Sequence, residues 1–286
     1  MAAARLGPVI VTGANSGIGL ASVLRFASRG WETWGTVRSQ AKADELLAAA
    51  SEAGCAESVR PLVLDVSDHE RVVEAWQDLP DFYAVVNNAG FSQSGAVEEV
   101  SAAQARAQLD VNLISPAVIA GCALPGMRRL GTGRIVMVSS VAGRAAVMPL
   151  NGWYHASKFG LEALSDVLRV EVASFGVAVS IVEPGFFKTG ITGRARDIAS
   201  ERASHAGSPY ASAYERMDAL IEWVERFAPP ASLVARVIVS AVESRSPLRR
   251  YVVGLDAFAT IAADSLVPRA LTDFAMRVAA NLNAKS

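Results

Sequence analysis

The chain has 286 residues, of which 51% are apolar and 19% charged, with a formal net charge of −1. A mean hydropathy of +0.28 is enough for a large core, while near-neutrality removes the electrostatic reason to bind nucleic acid, and no block of basic residues interleaves with aromatics. No uninterrupted apolar run reaches the ~18–20 residues of a membrane span. The N-terminus lacks the basic, apolar and cleavage segments of a signal peptide, so a soluble, cytoplasmic protein is expected. Cys55 and Cys122 stand apart from each other and from any Cys/His cluster, which suggests neither disulfide nor zinc.

Short apolar runs alternate with helical patterns, the signature of βαβ units in a single α/β domain with a parallel sheet and helices on both faces. The first strand, Val9–Thr12, leads into the turn Thr12-Gly13-Ala14-Asn15-Ser16-Gly17-Ile18-Gly19 and a helical stretch from Ile18 to Arg29 that Gly30 can end. Glycines are needed where a backbone turns tightly against a pyrophosphate, and free N–H groups at a helix start bind the phosphates, so Gly13, Asn15, Ser16, Gly17, Ile18 and Gly19 form a dinucleotide site. A second strand, Thr33–Val37, ends at Arg38. An acid at this point would bind a ribose 2′-hydroxyl and repel a 2′-phosphate; arginine instead pairs with phosphate, so NADP(H) is preferred and NAD(H) possible. The plainer alternative is a solvated loop residue in a protein that accepts both.

Leu62–Leu64 reads as the third strand, closed by Asp65-Val66, and Ser67-Asp68-His69-Glu70 has the form of a capping box starting a helix near Asp68. Strand four, Ala84–Asn87, runs into Asn88-Ala89-Gly90 at a carboxyl end, where open sheets bind ligands. Asn87 itself reads as a sheet-stabilising residue. Ser101-Ala102-Ala103-Gln104 repeats the capping pattern, starting a long helix near Ala102 that carries Asn112. Strand five, Arg134–Ser139, ends in Ser139-Ser140. Fourteen residues past Ser140, Tyr154-His155-Ala156-Ser157-Lys158 puts a phenol and an ammonium on one helical face. Leu161, Leu164, Leu168 and Val172 give that helix a buried side.

His155 points about 100° away from Tyr154 and reads as a packing or substrate-wall residue. His69 and His205 are too isolated for a metal site. Strand six, Val177–Val182, precedes Pro184-Gly185, and Tyr251–Val253 is the seventh. Between them, Thr189 to Pro230 offers no strand and ends in a stripe of Met217, Leu220, Ile221, Val224 and Phe227. An insertion of this length after a strand is usually functional, although the stripe reads equally well as core.

Together the glycine turn, Ser139-Ser140 and the Tyr154/Lys158 pair resemble the short-chain dehydrogenase/reductase family from about Val9 to Gly190, with weaker echoes to Asp256. The G-x-x-x-G-x-G spacing is that family's form. The resemblance implies a Rossmann-type doubly wound sheet of about seven strands, an NAD(P)-dependent oxidoreductase acting on CH–OH groups, a substrate lid over about 189–230, and a homodimer or homotetramer. It also implies that Asp65 and Val66 lie against adenine, that Asn88, Ala89 and Gly90 lie beside the adenosine ribose, and that Ile181, Pro184, Gly185 and Thr189 flank the nicotinamide.

Tyrosine, with an ordinary pKa near ~10, needs a neighbouring cation to act as a base at neutral pH, and Lys158 supplies one. Tyr154 is therefore the expected general acid/base. From the family, Lys158 lowers the tyrosine pKa and hydrogen-bonds the nicotinamide ribose, while Ser140 is the hydroxyl donor to the substrate oxygen, with Ser139 a competitor. Asn112 bends its helix and positions a water by the same resemblance; an ordinary helical asparagine is the open alternative. Val147, Met148, Pro149, Leu150, Trp153, Phe186 and Phe187 should border an apolar alcohol or ketone. Ser157–Asp166, Ser208-Pro209-Tyr210 and Arg250–Gly254 look most like the retinol and hydroxysteroid branch and its bacterial relatives. A 3-oxoacyl-thioester reductase would share every catalytic residue. A non-catalytic nucleotide sensor would need only the glycine turn.

Overall fold

The computed structural model describes residues 6–188 and 208–282, apart from the side chains of Val224 and Glu225. Thr189, His205 and the first part of the insertion, 189–207, lie outside the described residues. Seven parallel strands form one sheet in the order β3-β2-β1-β4-β5-β6-β7: β1 (Val9–Val11), β2 (Thr33–Val37), β3 (Val59–Val63), β4 (Ala84–Asn87), β5 (Gly133–Val138), β6 (Val177–Pro184) and β7 (Arg250–Val253). The chain winds outward from β1 to β3, then returns past β1 to β4. That reversal opens a crevice at the carboxyl ends of β1 and β4.

Side chains alternate along each strand, so β1 feeds two cores. Val9 and Val11 join Phe26 of α1 (Gly17–Ser28), Leu46 of α2 (Gln40–Glu52) and Ile238 of α8 (Ser232–Glu243) on one face. Ile10 meets Val72 of α3 (His69–Trp76), Ile119 and Met127 of α5 (Ser115–Leu130) and Leu161 of α6 (Gly152–Glu171) on the other. Strands covered on both faces read as continuous apolar runs, which is why the central ones were legible. The third strand starts three residues earlier than its apolar run suggests, because Pro61 lies within it. Proline is tolerated there because β3 is an edge strand with a free N–H side.

Both capping signals mark real helix starts, but one residue assignment changes. Asp68, not Ser67, caps α3 and accepts from the Arg71 amide at 3.0 Å, whereas the Ser67 hydroxyl donates to Asp65 Oδ1 at 2.7 Å. The Ser101/Gln104 box forms reciprocally, with bonds of 3.2 and 3.0 Å, at the start of α4 (Ala102–Leu109). This helix continues through a π turn, Asp110–Ile114, into α5. The continuous helix Ala102–Leu130 contains an 18-residue window of mean hydropathy 1.4, so it is long and apolar enough to cross a membrane, a length the apolar runs alone do not reveal. It packs on the sheet through Ile119, Ala123 and Met127, and 44% of that window is buried in the protein.

Beyond the sheet, α7 (Ala211–Phe227) lies over the 96–99 loop, with Tyr214 fully buried. The expected stripe divides: Met217 and Ile221 are buried, while Leu220, Trp223 and Phe227 are exposed. The last helices among the described residues are α9 (Leu255–Leu266) and α10 (Arg269–Ala279).

Candidate active site

The glycine turn stands in the crevice between β1 and β4. Gly13 has φ +67°, a left-handed conformation that side chains disfavour, and a Cβ at Gly19 would run into the Gly13 carbonyl and the Asn88 amide. The start of α1 therefore packs directly on the strand end, with its first N–H groups facing the cleft. Thr12 locks the two strand ends together, its Oγ1 accepting from the Asn88 and Ala89 amides at 2.9 Å each, while Asn88 Nδ2 donates to Thr12 O at 2.8 Å. Gly13, Asn15, Ser16, Gly17, Ile18, Arg38, Asp65, Val66, Asn88, Ala89 and Gly90 line one cleft of about 520 Å³. Arg38 is exposed at its rim, and no ion pair among the described residues engages it. An elongated dinucleotide fits this lining: amides and the helix start for phosphates, a cation at one end, Val66 as an apolar wall. Asn87 is buried in the sheet, donating to Pro116 O at 3.3 Å.

A second cavity, of about 160 Å³ as bounded by the described residues, joins the first through Ile18, Asn88, Gly90 and Phe91. Ser140, Tyr154 and Lys158 line it together, as do Pro184 and Gly185. Strand β5 delivers Ser140 at its end and α6 delivers the other two, one turn apart. Ser140 Oγ accepts from the Ala142 amide at 3.2 Å and hydrogen-bonds the Tyr154 hydroxyl. The Lys158 ammonium donates to Val138 O at 2.9 Å and lies 5.9 Å from the centre of the tyrosine ring. Burial lowers its pKa from 10.5 to about 8, against the opposing pull of Glu162.

Burial also raises the Tyr154 pKa, and the Ser140 bond only partly offsets this. In the chain by itself, desolvation of the phenolate outweighs the Ser140 bond, and the Lys158 ammonium is directed at Val138 O. Tyr154 is a protonated phenol at neutral pH, beside a lysine that is still charged there. Behind them, Glu162 is pushed up to about 7 by burial, although Arg250 bonds it at 3.2 Å.

Other expected residues fall elsewhere. Asn112 sits in the π turn, buried, with Oδ1 accepting from the Phe91 amide at 3.0 Å and Nδ2 donating to Phe91 O and Ser157 Oγ at 2.9 and 3.1 Å. Those bonds brace the β4 exit against α6. Such π turns cluster at functional sites. Ile181 is a buried sheet residue that lines neither cavity. Trp223 and Phe227 face solvent, whereas Met217 and Ile221 reach the cavity. Ser92, Ser94 and Asn151 also line it, as does Thr260 of α9. The two serines follow the Asn87–Gly90 strand end closely enough to be found by position; Thr260 carries no local signal. The Asp256 carboxylate accepts from the Phe186 amide at 2.7 Å, tying the start of α9 to Gly185-Phe186.

Comparison with known proteins gives the same constellation a family. A family model described as short chain dehydrogenase matches residues 8–199. Retinol dehydrogenase 16 of Mus musculus is 33% identical over 93% of this chain and 86% of its own length, and 17-beta-hydroxysteroid dehydrogenase type 6 of Homo sapiens is 31% identical over 93% and 86%. An NADPH-dependent 3-dehydrocapnine reductase of Ornithobacterium rhinotracheale is 28% identical over 92% and 94%. A solved short-chain dehydrogenase from Streptomyces avermitilis superposes with a TM-score of 0.76 at 28% identity, covering 97% of this chain and 98% of the other. By its glycine turn, its seven-stranded parallel sheet and these relatives, the chain belongs to the NAD(P)-dependent short-chain dehydrogenase/reductase family, on the side of its retinol and hydroxysteroid dehydrogenases.

Proposed function

We propose that this enzyme uses NADP(H) to interconvert an apolar alcohol and its ketone, with Tyr154 as proton donor and acceptor. The observation that carries the reading is the convergence of Ser140, Tyr154 and Lys158 on a cavity whose apolar wall is Val147, Met148, Leu150, Phe187, Met217 and Ile221, with Ser92, Ser94, Asn151 and Thr260 as further polar residues. A mainly apolar lining with polar groups set among it suits an apolar substrate oriented through its oxygen. The described part of this cavity, about 160 Å³, is on the scale of the ~150 Å³ cavity that admits a benzene ring.

Gly13 to Gly19 would hold the pyrophosphate and Arg38 the 2′-phosphate, and the nicotinamide, once bound, supplies the hydride to the carbonyl carbon. The protein's part is to place the carbonyl oxygen between the Ser140 and Tyr154 hydroxyls. As negative charge grows on that oxygen, both donate to it, and Tyr154 transfers its proton. The phenol is protonated at neutral pH and so carries the proton this step needs. The Lys158 charge, held in place by Val138 O, then stabilises the phenolate that remains. Relatives described as NADPH-dependent reductase, retinol dehydrogenase and hydroxysteroid dehydrogenase support this reading. A panel of cyclic ketones, ketosteroids and 3-oxoacyl thioesters, followed at the NADPH absorbance band, tests it. Turnover confined to the thioesters would replace the apolar ketone with the acyl chain, and faster turnover with NADH would remove the role given to Arg38.

A further inference from the structure

Between β5 and α6 the chain forms the substrate wall, and its backbone is strained. Leu150 has φ +60°, a left-handed conformation that a branched side chain disfavours and that persists only where surroundings enforce it. Several contacts do so. Its carbonyl accepts from the Gly95 amide at 2.6 Å, its side chain packs with Tyr214 and Met217, and the adjacent Asn151 accepts from Ser92 Oγ at 2.8 Å.

The remaining restraint comes from the catalytic helix. His155 is buried, with Nδ1 2.8 Å from Ala142 O and Nε2 3.3 Å from the Met148 amide nitrogen. A carbonyl can only accept and an amide N–H can only donate, so the partners select one tautomer: Nδ1 carries the hydrogen and Nε2 accepts. Burial lowers the His155 pKa, which keeps the ring in that neutral form. One imidazole thereby ties both ends of a seven-residue loop to the helix turn that carries Tyr154. Ala142 and Met148 both line the cavity.

We propose that His155 is a positioning residue for substrate selection: as a neutral two-ended clamp between Ala142 O and the Met148 amide, it holds the strained wall at a set distance from Tyr154 and so fixes the width of the pocket. Only the selectivity part rests on the apolar-ketone reading above; the clamp itself does not.

The two ends of the clamp are separable. H155Q puts an acceptor where Nε2 was and keeps the Met148 bond; H155N puts a donor where Nδ1 was and keeps the Ala142 bond; H155L removes both. Hydrogen exchange at the Met148 amide should be about tenfold faster in H155N and H155L than in wild type and H155Q. With NADPH, the KM of a ketosteroid relative to that of cyclohexanone should fall about fivefold in H155N and H155L, with the kcat ratio moving less, because a looser wall changes ground-state fit. H155Q should restore the wild-type KM ratio. Equal Met148 protection in all four proteins would overturn the clamp, and an unchanged KM ratio despite faster exchange would overturn its role in selection. If wild type reduces neither ketone, the functional reading fails, and Met148 exchange alone still decides the clamp. Should H155L not fold, the H155N/H155Q pair carries the same comparison between polar side chains.

Discussion

Lys158 is 5% exposed, with its ammonium on a single carbonyl, and burial lowers its pKa from 10.5 to about 8. Holding that charge at pH 7 therefore costs on the order of 3 kcal/mol of folding stability relative to an uncharged side chain. Methionine is of similar length and apolar. Lys158→Met removes the cost but leaves Val138 O without this donor, a loss of about 1 kcal/mol. A net gain of about 2 kcal/mol at pH 7 is expected, or roughly 5 °C in Tm for a chain of this size. The sign with pH follows from the lowered folded-state value. Below about 8 both folded and unfolded lysines are charged and the penalty is complete; between about 8 and 10.5 the folded lysine releases its proton first and the penalty fades.

The variant should thus be more stable than wild type at pH 7 and nearly equal to it at pH 10, while turnover falls by about 10²–10⁴, an exchange of stability for function. Urea unfolding of both proteins at the two pH values, followed by tryptophan fluorescence, measures it. A variant less stable than wild type at pH 7, or a gap that does not narrow with pH, would refute the claim that Lys158 is a buried charge held at a cost.

For wild type, kcat/KM in the reductive direction should decline as pH rises through about 8, the value for Lys158 in the free enzyme, and a profile flat to pH 10 would detach that charge from catalysis. Tyr154→Phe should lower turnover by about 10²–10⁴ and leave NADPH affinity near wild type by fluorescence titration, since only the transferable proton is lost. Arg38→Asp should reverse the preference between NADP(H) and NAD(H), measured as the ratio of their Kd values; a wild type that already favours NAD(H) would overturn the assignment. Met217→Ala should raise KM for single-ring ketones and Trp223→Ala should not, because the first side chain lines the cavity and the second faces solvent. Tyr214→Phe should destabilise α7 by about 1–3 kcal/mol, seen as faster amide exchange along 211–227, because the Ala96 amide and the Glu99 carboxylate both lose the phenol that bonds them.

Much of this site was legible because its parts are local. The glycine spacing, the strand before it and the helix after it stand within about twenty residues, and each requirement, a turn, a close approach or an exposed amide, acts on the backbone at that point. The Tyr154/Lys158 pair needs only helical periodicity, and the Ser101/Gln104 box needs only the reach of two side chains. Capping failed as a guide at Ser67 because the neighbouring Asp68 competes for the same amide, and a carboxylate near a helix start is also favoured by the dipole. Pro61 hid the start of β3, since its acceptability depends on which strand lies at the sheet edge. The stripe on α7 divided because the buried face of the helix runs along Ala213, Tyr214, Met217 and Ile221.

Spacing by itself thus determined the fold class, the glycine turn and the helical face that Tyr154 and Lys158 share. Tertiary structure decided the quantities that depend on burial. It raised the Tyr154 pKa and lowered that of Lys158, placed Asn112 as a brace between β4 and α6, brought Thr260 to the pocket from a helix more than a hundred residues beyond Tyr154, and chose the tautomer of His155. The reason is physical. A turn or a helical face depends on a few bonded neighbours, whereas desolvation and hydrogen-bond partnership are sums over every element that folds against a group, and that sum does not exist until the sheet has closed over it.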